Sequence, residues 1–481
     1  ATTLEDYRYL CKAYRSDARL QALHARFPMI AIWDDHEFSD DCWQDRQSYD
    51  ADDDQSPQTA RRRSANQAWF EYLPADVTLD LNNPSFQNIQ IYRAFTFGNL
   101  ATLLMTDERL YRADHLISEA NAGGDVGSRF FIRRDALKAA EDAKIAAAGG
   151  ALTQVSMLGD AQRAWWQDRV GGAATTWKLW GNQVSLLRMQ IDLTEAIAEL
   201  MVLRLIASNT ALTPLRDQME TALTADLRAA LSSGTYPNNV AYTNLRQLLS
   251  TQAGIDSATF DANIKPTLDS RLPPASLLAT YVLNADQWDG YDAERRNLMA
   301  FLKTNNVRNV VALTGDIHAF FAGVVMDDFD AATPTPVMVD LVGAGLSSNT
   351  LMSTYKSVVD NDPRFAEIKA LIYEEVSGAV VNTLNRTLQH FNPWMRYAET
   401  NVTGYAIVTL TPDKLNCAFH IMKGLVDGIE TARRLRGEFG IRSVYLSAYT
   451  DHQTMARVQQ TYPLGFVQKP YSASQLRNAL D

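Results

Sequence analysis

Cysteine is scarce: Cys11, Cys42 and Cys417 are odd in number and widely scattered. A disulfide framework or a zinc knuckle needs paired thiols at fixed spacings, so neither is expected. Long apolar runs are missing too, and no window reaches the 18 or more apolar residues of a membrane-spanning helix. Positive charge is in deficit, 45 Lys and Arg against 56 Asp and Glu, for a net charge of −11. Nucleic-acid binders draw affinity from basic side chains that neutralise phosphates, so that class is disfavoured. Surplus acid is what a metal-requiring protein shows before its cations are counted. The opening "ATTLEDYRYL" has no Met, no basic-then-apolar signal region and no small-residue cleavage site. It reads as a mature or truncated product.

What is present is the composition of an ordinary folded chain of 481 residues. That length allows two or three domains, or one large α/β domain with insertions. Apolar positions at three-to-four spacing predict a helix over residues 3–25, and "FPMIAIWDD" reads as a strand running into a loop. "DADDDQSPQTARRRS" (50–64) is polar and loop-like. "IYRAFTFGNLATLLMTDERLYR" (91–112) reads as two strands joined at Gly98-Asn99, the second ending near Asp107 and Arg109. "DAQRAWWQDRV" predicts a helix and "TTWKLWGNQV" a strand. Residues 185–275 turn Ala/Leu-rich with a helical period, which predicts an inserted helical subdomain. Residues 284–325 give loop, helix and a buried strand with a polar end at Asp316 and His318. "PVMVDLVG" and "TGYAIVTLTPDKLNCAFHI" add strands up to residue 422. Strand, polar end and helix in repetition mean α/β, a class that places ligands at strand ends.

Two buried apolar runs, far apart in sequence, both end in Asp and His: "IAIWDDHEFSDDCW" (30–43) and "VVALTGDIH" (310–318). The first crowds Asp34, Asp35, His36, Glu37, Asp40 and Asp41 into eight residues. Two unit charges about 4 Å apart repel by roughly 4 kcal/mol at an effective dielectric near 20. Either these acids splay into water or a cation sits among them. In "GDIH" the Asp-x-His spacing puts both side chains on one face if the strand continues. Carboxylate plus imidazole suits Mn, Fe or Zn, and a carboxylate-only neighbour such as Asp40 suits Ca. Metal-activated water attacking phosphorus is chemistry that such a site supports. Plainer readings exist for each piece. "DDHEFSDD" fits a solvated acidic loop, His318 a hydrogen-bonded core histidine, and Asp107/Arg109 a surface pair worth under about 1 kcal/mol. Trp165, Trp166, Trp177, Trp180 and Trp288 fit a core. The joint occurrence at several strand ends favours the metal site.

The strings "WDDHE", "WKLWGNQ", "DQWDGY", "LTGDIHAFFAG" and "NPWMRYAETNVTGY" together resemble the PhoD-type alkaline phosphatases, a branch of the calcineurin-like metallophosphatases. The similarity runs from about residue 1 to 422 in the family's motif order. It implies a layered α/β/β/α sandwich with a helical insertion and phosphomonoesterase or phosphodiesterase activity on a phosphate ester. It also implies an iron–calcium type metal cluster and a periplasmic or secreted location. Asp35 maps to a metal ligand, His36 to a phosphate contact or acid, and Asp316 and His318 to ligands. Asp40 maps to a calcium ligand where many members carry Asn, and Arg109 joins Asp35 and His36 as a catalytic candidate. Members also carry an N-terminal β-rich module and first strands with a Cys ligand and a Gly-Asp-x-x-Tyr motif. Nothing before residue 30 matches these, so the chain is expected to begin inside the catalytic domain (1–423) with half of the metal site outside it.

From residue 425 the chain looks like the second half of a two-component receiver domain. "IRSVYLSAY" resembles the strand with the switch Ser (Ser447), and "GFVQKPYS" the strand ending in Lys469 and Pro470. A helix is expected over 427–438, strands over 442–447 and 465–469, and then a final helix. Asp427 matches the receiver's Met-Asp-Gly position and not the phosphoacceptor, whose place is taken by "CAFHIMKG". The join near Lys423–Leu425 therefore reads as a fusion of two partial coding regions. A signalling protein using this partial receiver-like segment (424–481) and an inactive metal-binding scaffold are the alternatives to a hydrolase.

Overall fold

The computed structural model describes residues 1–46, 56–117, 129–150, 152–422, 444–447 and 465–468. Its centre is a seven-stranded mixed sheet. In spatial order the strands are Arg93–Phe97, Ala101–Met105, Trp177–Asn182, Val310–Thr314, Pro336–Val342, Phe320–Met326 and Met395–Glu399. The four from Ala101–Met105 to Pro336–Val342 pair in parallel, and antiparallel strands flank them on both sides. Parallel pairs need crossovers, here supplied by the helices Asp160–Gly172 and Asp292–Thr304. Trp166 and Val170 of the first helix and Leu298, Met299 and Leu302 of the second are buried in one core with Leu104, Trp180 and Ala312 of the sheet.

The opposite face is covered by a hairpin, Gly404–Leu410 with Leu415–Ile421, whose Leu410 and Leu415 pack on Ala101, Leu179 and Val311. Among the described residues this hairpin is the β layer on that side, and Phe97, Val339 and Tyr397 of the main sheet stay exposed around it. "TGYAIVTLTPDKLNCAFHI" is thus two strands and not one. A separate three-stranded sheet joins Phe130–Arg133, Thr280–Asn284 and Gln190–Asp192. Helices Leu193–Ser208, Arg216–Ser233 and Thr243–Ala253 occupy the stretch read as an insertion, and its first residues, 185–192, belong to the body. All three large aromatics Trp166, Trp180 and Trp288 are fully buried, with ring centroids 4.5 and 5.8 Å apart in series.

Two sequence expectations are corrected. The helix over 3–25 is two helices, Leu4–Arg15 and Ala18–Arg26, because Asp17 caps the second by accepting from the Arg19 and Leu20 backbone N–H groups at 2.8 and 3.2 Å. The run "MIAIW" forms no strand. No neighbouring strand pairs with it, and its carbonyls are taken by side chains: Arg93 donates to Ala31 and Gln183 to Trp33. In the tail, Val444–Ser447 and Gly465–Gln468 pair in parallel and lie within the strands expected over 442–447 and 465–469, whose remaining residues fall outside the described ones. The helices expected there, Lys469 and Pro470 lie outside the described residues.

Candidate metal centre

Four segments converge beyond the carboxyl ends of the parallel strands, where open α/β sheets hold ligands. After Ala101–Met105 come Asp107, Glu108 and Arg109, and after Val310–Thr314 come Asp316 and His318. The loop following Thr280–Asn284 brings Asp286 and Gln287, and the acidic turn brings Asp34, Asp35 and His36. The acidic turn is pinned from below. The Trp33 indole N–H donates to Asp107 Oδ1 at 3.0 Å, and Gln183 Nε2 holds the Trp33 carbonyl at 3.0 Å. Asp35–Glu37 is one 3-10 turn, closed by Glu37 accepting from the Asp34 N–H at 2.8 Å. Beneath it the buried Arg62 guanidinium lies 4.7 Å from the Trp33 ring and 5.2 Å from that of Phe38.

Carboxylate oxygens of Asp34, Asp35 and Asp316 lie within 4.8 Å of one another. A second group, Asp35, His36 and Asp40, is equally tight, so Asp35 belongs to both. Asp35 is buried, whereas His36 is 76% exposed, with Nε2 4.0 Å from Asp35 and 3.5 Å from Asp40. Asp40 and Asp41 both pair with Arg129. Asp316 and His318 both take left-handed backbone, φ +63° and +57°. The strand has ended at Thr314, so the same-face reading of Asp-x-His does not apply. For non-glycine residues such conformations cost of order 1–3 kcal/mol and cluster at functional sites. His318 stands outside both tight groups. Burial, more than the neighbouring His36, lowers its pKa, against the pull of Asp35 and Asp34.

Arg109 is fully buried and reaches three acids at once: Asp34 at 2.7 Å, Asp286 at 3.0 Å and Asp316 at 3.3 Å. The surface-pair reading of Asp107/Arg109 is therefore corrected. Asp107 is also fully buried and accepts the Arg109 backbone N–H, not its side chain. Asp286 lies behind Arg109, bound as well by Arg112 Nη2 at 2.6 Å and His115 Nε2 at 2.8 Å. Gln287 Nε2 donates to Asp316. Burial would raise the Asp286 carboxyl, but Arg109 and Arg112 override it and hold the group well below the usual range. Asp316 goes the other way: burial first, then the Asp34 charge, push it well above that range despite Arg109. Asp286, Gln287 and Arg112 were absent from the sequence-derived site, although "DQWDGY" carries the first two.

A metal fits this donor set. Three ionised carboxylates within 4.8 Å repel by roughly 3.5 kcal/mol per pair at an effective dielectric of 20. Arg109 and Arg112 carry two positive charges against the four carboxylates of Asp34, Asp35, Asp286 and Asp316. Burial lowers the His115 pKa and keeps it neutral. With all four carboxylates ionised, the remaining deficit is the charge of one divalent cation, and hard oxygen donors suit calcium. The raised Asp316 pKa means that a proton relieves part of this deficit until a metal displaces that proton. Among the described residues 193–269 none joins either ligand group.

A family model described as PhoD-like phosphatase matches residues 1–419. Alkaline phosphatase D of Bacillus subtilis (strain 168) is 24% identical over 350 residues, 72% of this chain and 40% of that protein. A solved structure of PhoD superimposes with a TM-score of 0.52 at 21% identity, over 89% of this chain and 56% of that one. The chain thus spans about two fifths of the curated relative it matches.

Proposed function

The chain belongs to the PhoD-like phosphatase family, and from that premise we propose that it is a metal-dependent phosphoester hydrolase. The observation that supports this reading is the Asp34, Asp35 and Asp316 cluster, short of positive charge by one divalent cation. Asp35 and Asp316, with Asp34 beside them, are the ligands proposed for a calcium-like ion. Asp40 and His318 complete the proposed ligand set, His318 as the neutral imidazole that binds metal. Iron, the second metal that the resemblance implies, would share the Asp35 carboxylate and leave His36 unligated. When bound, such cations supply Lewis acidity toward a phosphoryl oxygen and lower the pKa of an attacking water.

The chain's own residues do the rest. His36 stands exposed at the rim between Asp35 and Asp40, placed to contact a phosphate ester and hand a proton to its leaving oxygen. Arg109, a catalytic candidate from the sequence, acts here by holding Asp34 and Asp316 at their separation. The proposed substrate is a phosphate monoester or diester, and the proposed location is outside the cytoplasm. Among the described residues no helix is long and apolar enough to cross a membrane.

Metal analysis of the purified protein with a p-nitrophenyl phosphate assay tests the reading. Calcium-dependent turnover is expected, and His36→Ala should lower kcat by about 10²–10⁴-fold, the usual worth of a general acid. Its melting temperature should not change, because the side chain is mostly exposed. A protein that takes up no divalent cation would overturn the hydrolase reading and its inactive-scaffold alternative together. The signalling alternative draws on the parallel pairing of Val444–Ser447 with Gly465–Gln468. Acetyl phosphate and Mg²⁺ should leave residues 425–481 unmodified, and a phosphoaspartate there would put signalling first.

A further inference from the structure

We infer that Asp286 is a positioning residue for the metal centre, acting through Arg109 and not by ligation. The inference rests on the metal reading above and deepens it. Asp286 is 1% exposed and uses both oxygens: Oδ2 on Arg109 Nη1, and Oδ1 on Arg112 Nη2 and His115 Nε2. Arg112 is anchored in turn by the Tyr291 hydroxyl at 3.1 Å, which itself donates to the Ala113 carbonyl at 2.8 Å. Asp286 is aimed by its own loop, its N–H donating to Asn284 Oδ1 at 2.9 Å. The carboxylate therefore has fixed partners on one side and Arg109 on the other.

Arg109 has three N–H-bearing nitrogens, and each serves a different acid. Take away the Asp286 charge and two things happen to a cation at Asp34, Asp35 and Asp316. Arg109 and Arg112 lose their compensating anion, so their field at the site becomes more repulsive. Arg109 is also released to bind Asp34 and Asp316 more tightly, in competition with the metal. Both effects have the same sign. Outer partners that orient ligands are typically worth 10–100-fold in metal affinity.

The test compares Asp286→Asn with Asp289→Asn. Asp289 sits three residues away and is equally buried, but it pairs with Arg188 and Arg295 and touches no site residue. Calcium affinity is read by calorimetry on the whole chain, alongside thermal melting. Asp286→Asn should raise the calcium Kd by about 10–100-fold, while Asp289→Asn destabilises the fold and leaves the Kd within about twofold. His115→Gln, a milder lesion that keeps the Asp286 charge, should raise the Kd by a smaller factor and serves if Asp286→Asn does not fold. An unchanged Kd in both site variants, or an equal rise in Asp289→Asn, would overturn the inference and leave the metal reading standing. Failure of the unmutated chain to bind calcium would bring down both.

Discussion

At the scale of single residues, Glu108 shows how burial beside the site sets a pH dependence. It is fully buried, accepting from the Thr106 hydroxyl and the Gln183 N–H, and burial pushes its pKa up to about 8. An unfolded Glu titrates near 4.3. The raised native value means the stability tied to its proton is full below about pH 4 and is lost as pH rises toward 8. The slope reaches at most about 1.4 kcal/mol per pH unit. Glu108→Gln keeps the shape without the titration. Denaturant melts at pH 5, 7 and 9 should show the unmutated chain falling progressively behind the variant. Parallel pH dependence of the two would mean Glu108 is not the titrating group. His36 is the opposite case, exposed and free to act on substrate, which is why its replacement should reach turnover and not folding.

Among elements, the loop Ala285–Tyr291 matters most, because it delivers both Asp286 and Gln287. Trp288 plugs it into the core, its indole donating to Asn182 at 3.0 Å. Gly290 lets it close: a Cβ there would stand 1.9 Å from the Ala285 carbonyl oxygen. Gly290→Ala must open the loop, with a stability loss of about 3 kcal/mol or more expected from such overpacking. Calcium binding should weaken with it, since both delivered side chains move. A calorimetric Kd unchanged in a destabilised Gly290→Ala would show that the loop and the centre are uncoupled. The segment before Trp33 offers a contrast. Its apolar run reads as a strand, but strands need partners, and side chains from Arg93 and Gln183 occupy its carbonyls instead.

For the molecule as a whole, the cluster is a cost until a cation arrives. With all three acids ionised, three mutual repulsions of roughly 3.5 kcal/mol stand against a typical total stability of 5–15 kcal/mol. Arg109 and the raised Asp316 pKa offset only part. Calcium should therefore stabilise the native chain by mass action, by about 2.7 kcal/mol at a hundredfold excess over Kd. Thermal melts across a calcium titration should rise accordingly and return with chelator. A flat melting temperature over that range would mean the acids are already neutralised, by protons or by Arg109 and Arg129. The net charge of −11 agrees in sign with a chain that has cations to gain.

Some of this was determined by sequence alone. Apolar runs marked five of the seven strands of the central sheet and helical periods its crossover helices, because local burial shapes the sequence pattern; Phe320–Met326 and Met395–Glu399 went unread. The "WDDHE" and "GDIH" strings named Asp35 and Asp316 because crowded acids after an apolar run are hard to explain otherwise. Tertiary structure decided what no string contains. Only the fold could show that Arg109, placed from sequence beside Asp107 at a strand end, points instead at acids 75, 177 and 207 residues away. Asp286 became part of the centre for the same reason. Electrostatic partnership depends on distance through space, and a lone Asp in a loop carries no mark of which guanidinium it will meet.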